Sequence, residues 1–458
     1  MPAREPSFAR RLLLSRFANT TSKMSFARSI AAVRMSGQRQ WHTAARRAAV
    51  VFTGTVLALA CGRPTTVSAP DMVLTDVTVI DGRGGSPRPG QTIEITSGTL
   101  TALRGTTTSD RPTVKVAGSF VTPGLIDSHV HLGPEDEDAV RARLYSFLHE
   151  GITSVREMAC CAPDYATLKP LPGARPLPRI YSSAFWAGPA FMRDDPRVNA
   201  IPRAGQLPWL LAVTDATDLA AALRVAKEQG ATGIKIYSDL SLDLVRKIAR
   251  TAHQSGMRVW SHSTIFPARP SEVVTAEVDV ISHAALFVWE GVSNLPEHYD
   301  GSHPFNPFGP PAPYDEVSPT DARVLEVLET IRRRAIILDP TLATMRQAVN
   351  DKAARWAIDL TKAAHTMGIP LAVGTDGASI FDELELLVDA VGLTPLEALA
   401  SATSVGAAAI GAGGELGVVE VGKAADLVVY SSDPSADIRN LRRPSHVIAR
   451  GRLVRPPE

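Results

Sequence analysis

The sequence predicts an α/β protein: a TIM-type (β/α)8 barrel with a small β-sandwich domain built from both ends of the mature chain. Three observations carry this expectation. Eight short apolar runs between residues 119 and 410 each end in polar or ionisable residues. Helical patterns lie between them, with apolar residues at three- and four-residue spacing. Alternating, strand-like segments stand on both sides of that middle, at 72–118 and again at 417–454.

The N-terminal element is a leader. The chain has 458 residues, with 48 Lys+Arg against 47 Asp+Glu and 45% hydrophobic residues. That near-neutral balance averages two unlike pieces. Residues 1–60 carry ten basic residues and one acid, whereas 61–458 carry 38 basic against 46 acidic. An acidic body argues against nucleic acid as a main partner. Ordinary hydrophobic content argues against disorder and against a multi-span membrane protein. Residues 48–60 (AAVVFTGTVLALA) are uncharged, follow Arg46-Arg47 and precede Cys61. This is the layout of a signal peptide, too short for a span of ~20 residues. The ending Leu57-Ala58-Leu59-Ala60-Cys61 resembles a bacterial lipobox, so Cys61 is a candidate lipidation site and mature N-terminus. The expectation is an exported, periplasmic or cell-envelope lipoprotein whose link to the membrane is a lipid anchor. An Arg- and Ser-rich, acid-poor stretch at 1–45 leaves a mitochondrial transit peptide as the alternative, or a start at Met35. Residues 61–71 would be a tether. The remaining cysteines, Cys160-Cys161, are adjacent and can close only a strained ring, so the fold is not disulfide-stapled.

The body follows in three parts. Residues 72–118 (MVLTDVTVIDG, then QTIEITSGTLTALRG) form the first half of the β domain. Residues 411–458, with KAADLVVY and HVIARGRLVR, form the second. Between them, 119–410 hold the barrel runs VTPGLIDSHVH, TSVRE, RIYSSAF, GIKIYSD, RVWSHS, DVISHAAL, AIILDP and PLAVGTDG. Helical patterns such as LDLVRKIARTAHQSG connect them, and two end in Gly, a usual helix stop. After the sixth run, residues 295–319 are Pro-, Gly- and aromatic-rich and too long for an ordinary loop. They are either a lid over the barrel mouth or a surface excursion.

Chemistry in such barrels sits at the C-terminal strand ends. His129 and His131 end the first strand, and i and i+2 face one way. Lys235 lies on the fourth strand; His262, His283 and Asp376 end the fifth, sixth and eighth. Neutral imidazole and carboxylate are good ligands for zinc and similar divalent metals. Lys235 becomes an anionic oxygen ligand if its neutral amine takes up CO2 as a carbamate. Tyr237, two residues on and on the same strand face, is a candidate substrate contact, with barrel packing as the alternative.

Placed in this order, these residues resemble the amidohydrolase superfamily, whose pattern is H-x-H after strand one, Lys after four, His after five and six, and Asp after eight. VTPGLIDSHVHL and KAADLVVY also look like family signatures, and the resemblance covers about 72–455. The branch most similar holds imidazolonepropionase-like proteins and Xaa-Pro dipeptidases. The resemblance implies two zinc ions, with His129 and His131 on the first and His262 and His283 on the second. Carboxylated Lys235 would bridge them, and Asp376 would be both a ligand and the catalytic acid/base. Two segments depart from the pattern: Phe381-Asp382-Glu383-Leu384 replaces an H-x-E-L stretch, and Met158-Ala159-Cys160-Cys161 replaces a Gly-rich turn.

The expected function is therefore metal-dependent hydrolysis of an amide C–N bond in a dipeptide or N-acyl amino acid. The alternatives are a cyclic amide (imidazolone- or hydantoin-like) or lactone on the same site, and an inactive barrel used for binding. The expected partner is a small amide or peptide, and a homo-oligomer is compatible with the sequence.

Overall fold

The computed structural model describes residues 71–105, 113–133, 136–158, 176–299 and 311–454. The leader, Cys61 with the tether up to residue 70, Cys160-Cys161 and residues 300–310 of the long insertion lie outside the described residues.

Seven strands run parallel in chain order: Leu125–Val130, Ile152–Glu157, Arg179–Ala187, Ala231–Ile236, Arg258–His262, Val280–Ser282 and Ile337–Asp339. The eighth run, 370–376, is not a regular strand, yet it lies between the seventh and the first. Leu338 N donates to Pro370 O (3.0 Å) and Ala372 N to Leu338 O (2.9 Å). On its other side Ser128 N donates to Val373 O (2.8 Å) and Asp376 N to His129 O (2.7 Å). Its ladder is broken for local reasons. Pro370 has no N–H to give, and Thr375 N is taken by the Asp127 carboxylate (3.1 Å). Gly374 permits the close approach, because a Cβ there would fall 2.2 Å from Asp339 Oδ1 and 2.6 Å from His129 Cβ.

The smaller sheet is assembled from both ends of the described chain. Its strand order is Arg452–Val454, Pro444–Ala449, Leu427–Tyr430, Phe120–Pro123, Met72–Val79, Arg88–Thr96 and Thr99–Gly105, with Thr113–Val114 beside Met72–Val79. Phe120–Pro123 joins the halves, parallel to Met72–Val79 and antiparallel to Leu427–Tyr430. Alternate residues of these strands, among them Leu74, Ile93, Val121, Leu427 and Ile448, share one buried apolar cluster. The run VTPGLIDSHVH thus serves two sheets. It changes over at Gly124, where a Cβ would lie 2.1 Å from Thr153 Oγ1. Asp426, in KAADLVVY, ties the sheets together: Gly124 N donates to its carbonyl (2.8 Å) and Arg179 Nε to its carboxylate (2.7 Å).

The barrel is covered by amphipathic helices, including Leu219–Glu228, Leu242–Gln254, Ala322–Arg334 and Asp351–Thr366. Leu242–Gln254 starts at Ser241, whose hydroxyl accepts from Leu244 N (3.3 Å), and buries Leu244, Val245, Ile248, Ala249 and Ala252 as one stripe. Inside the barrel, Trp260, Val280 and Ala372 pack with Ala409 to close the end away from the histidines. Trp260 Nε1 donates to Ala409 O (2.9 Å). Among the described residues no helix is long and apolar enough to cross a membrane.

Candidate active site

The strand ends bring the predicted histidines together as a continuous row of rings. Centroids of His131 and His129 are 5.4 Å apart, those of His129 and His283 4.9 Å, and those of His283 and His262 4.6 Å. Tyr237 extends the row, 3.8 Å from His262. Asp376 sits over one end. Its Oδ1 is 2.9 Å from His131 Nε2 and 3.9 Å from His129 Nε2, and its Oδ2 is 3.9 Å from His283 Nδ1. His129, His262 and His283 are almost fully buried, while the His131 side chain is 36% exposed, so the cluster opens to solvent along one edge. His129, His131 and Asp376 offer ligand atoms within 4.8 Å of one another, close enough to share one ion.

Burial sets the charge states. It pushes His129, His262 and His283 well below the usual histidine range, so all three are neutral and able to donate a lone pair. Burial also pulls Lys235 down to about 7, with help from the Arg156 guanidinium. Its Nζ is buried without a hydrogen-bond partner, as is His262 Nδ1. Burial of Asp376 raises its pKa, but His129, His131 and His283 outweigh that and hold it below the ordinary carboxylate range. Neutral imidazoles, an ionised carboxylate and orphaned polar atoms facing one cluster form a donor set that fits a divalent metal. His283, Thr341 and Asp376 all have left-handed backbones (φ 72°, 52° and 48°). Such conformations cost on the order of 1–3 kcal/mol each and gather at functional sites.

Several site residues escaped the sequence reading. Asp339, at the end of the seventh strand, lies 2.8 Å from His129 Nδ1 and is 0% exposed. Arg156, in the second strand, is also fully buried and reaches Asp339 Oδ2 at 3.1 Å. Asp127 accepts from His129 N (3.0 Å) and Thr375 Oγ1 (2.8 Å). His283 Nδ1 lies 2.9 Å from Thr341 Oγ1. Glu383 accepts from Leu342 N (2.9 Å) and Ala343 N (2.7 Å), fixing the turn that carries Thr341. At the mouth, Arg197 Nη2 lies 3.2 Å from both the Tyr237 and the Tyr299 hydroxyls. Arg197 comes from a four-residue helix, Pro196–Asn199, capped by Asp195; Tyr299 comes from the long insertion. The insertion thus places one aromatic side chain, 5% exposed, at the mouth.

Residues 120–454 match the amidohydrolase family. The chain belongs to the amidohydrolase family. Membership makes it a hydrolase acting on carbon–nitrogen bonds. Similar solved structures agree on the fold of this amidohydrolase. A Bifidobacterium longum protein assigned as a prolidase is 25% identical, covering 85% of this chain and 95% of its own, with a TM-score of 0.64. A Xaa-Pro dipeptidase with bound methionine is 20% identical over 84% of this chain and 100% of its own, with a TM-score of 0.64. An A. niger ochratoxinase is 19% identical over 84% and 96%, with a TM-score of 0.63. Among curated protein sequences none matches this chain.

Proposed function

We propose that this amidohydrolase cleaves the amide C–N bond of a small substrate with a free carboxylate, a dipeptide or an N-acyl amino acid. The observation that carries the choice of substrate is the Arg197 guanidinium at the mouth, aligned with two phenol hydroxyls one ring away from His262. The guanidinium is held in place by the Asp195 carboxylate (Nε to Oδ1 3.0 Å, Nη2 to Oδ2 2.6 Å), and it brings a cation with tyrosine O–H donors beside it to a substrate carboxylate. Two of the similar structures are named for prolidase or dipeptidase activity, and such substrates carry that carboxylate.

His129 and His131 would hold one divalent metal and His262 and His283 a second, with carboxylated Lys235 between them; zinc suits this donor set. A bound metal of this kind lowers the pKa of water and polarises a carbonyl. Asp376, ionised and hydrogen-bonded to His131, takes the proton from the attacking water and delivers it to the leaving nitrogen. Tyr237 and Arg197 orient the carboxylate end, so that the amide lies over the histidine row. Lys235 is suited to carbamate formation because burial brings its pKa to about 7 and leaves a large neutral-amine fraction at that pH.

The test is a hydrolysis screen on purified protein of measured metal content, using dipeptides including Xaa-Pro, N-acyl amino acids, hydantoins and lactones. Cleavage of the first two classes is expected. Turnover of neutral cyclic amides or lactones with no action on carboxylate-bearing amides would sink the proposal.

A further inference from the structure

We infer that Asp339, braced by Arg156, is a positioning residue that holds His129 as its Nδ1–H tautomer and so turns Nε2 toward the site. The inference rests on His129 being a metal ligand, as proposed above. Asp339 is the point where four strands meet. Its Oδ2 is approached by His129 Nδ1 at 2.8 Å from the first strand, Arg156 Nη2 at 3.1 Å from the second and Ser282 Oγ at 3.0 Å from the sixth. The same Oδ2 accepts from the Arg156 guanidinium and the Ser282 hydroxyl, and an oxygen that is the acceptor of this ion pair leaves His129 Nδ1 the role of donor. Nε2 is then the lone-pair nitrogen, and it is the atom that faces Asp376 at 3.9 Å.

Arg156 is fixed in turn. Its Nε donates to Ser128 O, and its guanidinium lies 5.1 Å over the Trp260 ring. Ser128 is the residue before His129, so Arg156 grips both the backbone that carries the imidazole and the carboxylate that orients it. The eighth segment completes the seat with a glycine, Gly374, where any Cβ would collide with Asp339 Oδ1 and His129 Cβ. A carboxylate behind a ligating histidine fixes its tautomer and raises its basicity, and losing such a partner commonly weakens metal binding ~10–100-fold.

The test has two arms, both on the full chain. In the metal-free wild type, nitrogen-15 NMR of the imidazoles, with the His129 signal identified by its loss in His129→Gln, is expected to place the proton on Nδ1. In Asp339→Asn, the Kd for Zn2+ alone is expected to rise ~10–100-fold while the melting transition stays cooperative. A proton on Nε2 in the wild type overturns the inference, whether or not the variant folds. An unchanged Zn2+ Kd in a folded Asp339→Asn overturns it as well. A wild type that keeps the Nδ1–H tautomer but binds no Zn2+ sustains the hold of Asp339 on His129 and refutes the metal assignment instead.

Discussion

Replacing Arg197 with Met removes the cation at the mouth together with its ion pair to the buried Asp195 carboxylate (Nε to Oδ1 3.0 Å, Nη2 to Oδ2 2.6 Å), so a melting curve of the variant accompanies the assay. Asp195 still caps its short helix through Arg197 N (2.9 Å), and the Tyr237 and Tyr299 hydroxyls remain 3.4 Å apart. A charge-assisted hydrogen bond to a carboxylate contributes about 1.5–3 kcal/mol, or ~10–150-fold in binding. The Arg197 side chain is 43% exposed, so solvent screening places the expected loss toward ~10-fold. The assay compares kcat/KM for an N-acyl amino acid and for its carboxamide, in wild type and in Arg197→Met. Wild type should prefer the acid by about that factor, and the variant should lose the preference. The loss should fall mainly on KM, as expected for binding shared by ground and transition states. Equal losses on acid and carboxamide, or an acid preference that survives the substitution, would refute the role assigned to Arg197.

Other predictions probe separate parts of the site and the chain. Asp376→Asn should keep metal content near wild type while kcat falls ~100–10,000-fold; wild-type turnover would remove Asp376 as the acid/base. Lys235→Met should lower the metal-to-protein ratio measured by elemental analysis, and an unchanged ratio would rule out a bridging role. Burial raises Glu383 from the usual 4.5 to about 8, so the folded chain keeps a proton there that the unfolded chain releases. Its contribution to stability is fully present below about pH 4.5 and is lost as pH rises through about 8. The melting temperature of metal-free protein should therefore fall between about pH 5 and 8, with a shallower fall in Glu383→Gln; parallel curves would contradict this. Gly374→Ala should destabilise by about 1–3 kcal/mol through overpacking against Asp339 and His129. Gly413→Ala, where the nearest atoms are 3.7 Å away, is the control for that measurement. The proposed lipoprotein leader predicts a mature protein that begins at a lipid-modified Cys61, with Cys61→Ser abolishing the modification; intact mass spectrometry of the exported protein decides it.

The barrel was legible because its strands are short apolar runs with a fixed address for function. His129, His131, Lys235, His262, His283 and Asp376 could be picked out by position at strand ends, and period-two geometry gave His129 and His131 one face. What stayed hidden were partners created by closure of the ring. Asp339 is 210 residues from His129 in sequence, and nothing in AIILDP separates a buried hydrogen-bonding carboxylate from a loop residue. Nothing in TSVRE marks Arg156 as an interior residue, yet it is fully buried. Arg197 and Tyr299 come from long excursions after the third and sixth strands, where periodicity carries no information about direction. In Phe381-Asp382-Glu383-Leu384 the missing histidine drew notice, whereas the residue that matters in the fold is Glu383, which binds the turn after the seventh strand. The two-part sheet was readable from its alternation, but the division of VTPGLIDSHVH at Gly124 was not, since both halves are apolar and strand-like.

The central claim is that the histidine row and Asp376 carry out metal-dependent cleavage of an amide C–N bond. The most direct measurement follows hydrolysis of Xaa-Pro dipeptides and N-acyl amino acids by chelator-stripped protein before and after Zn2+ is restored. Activity that vanishes on stripping and returns with Zn2+ is predicted. Undiminished hydrolysis by stripped protein, or no C–N cleavage by protein carrying its full metal complement, would contradict the account.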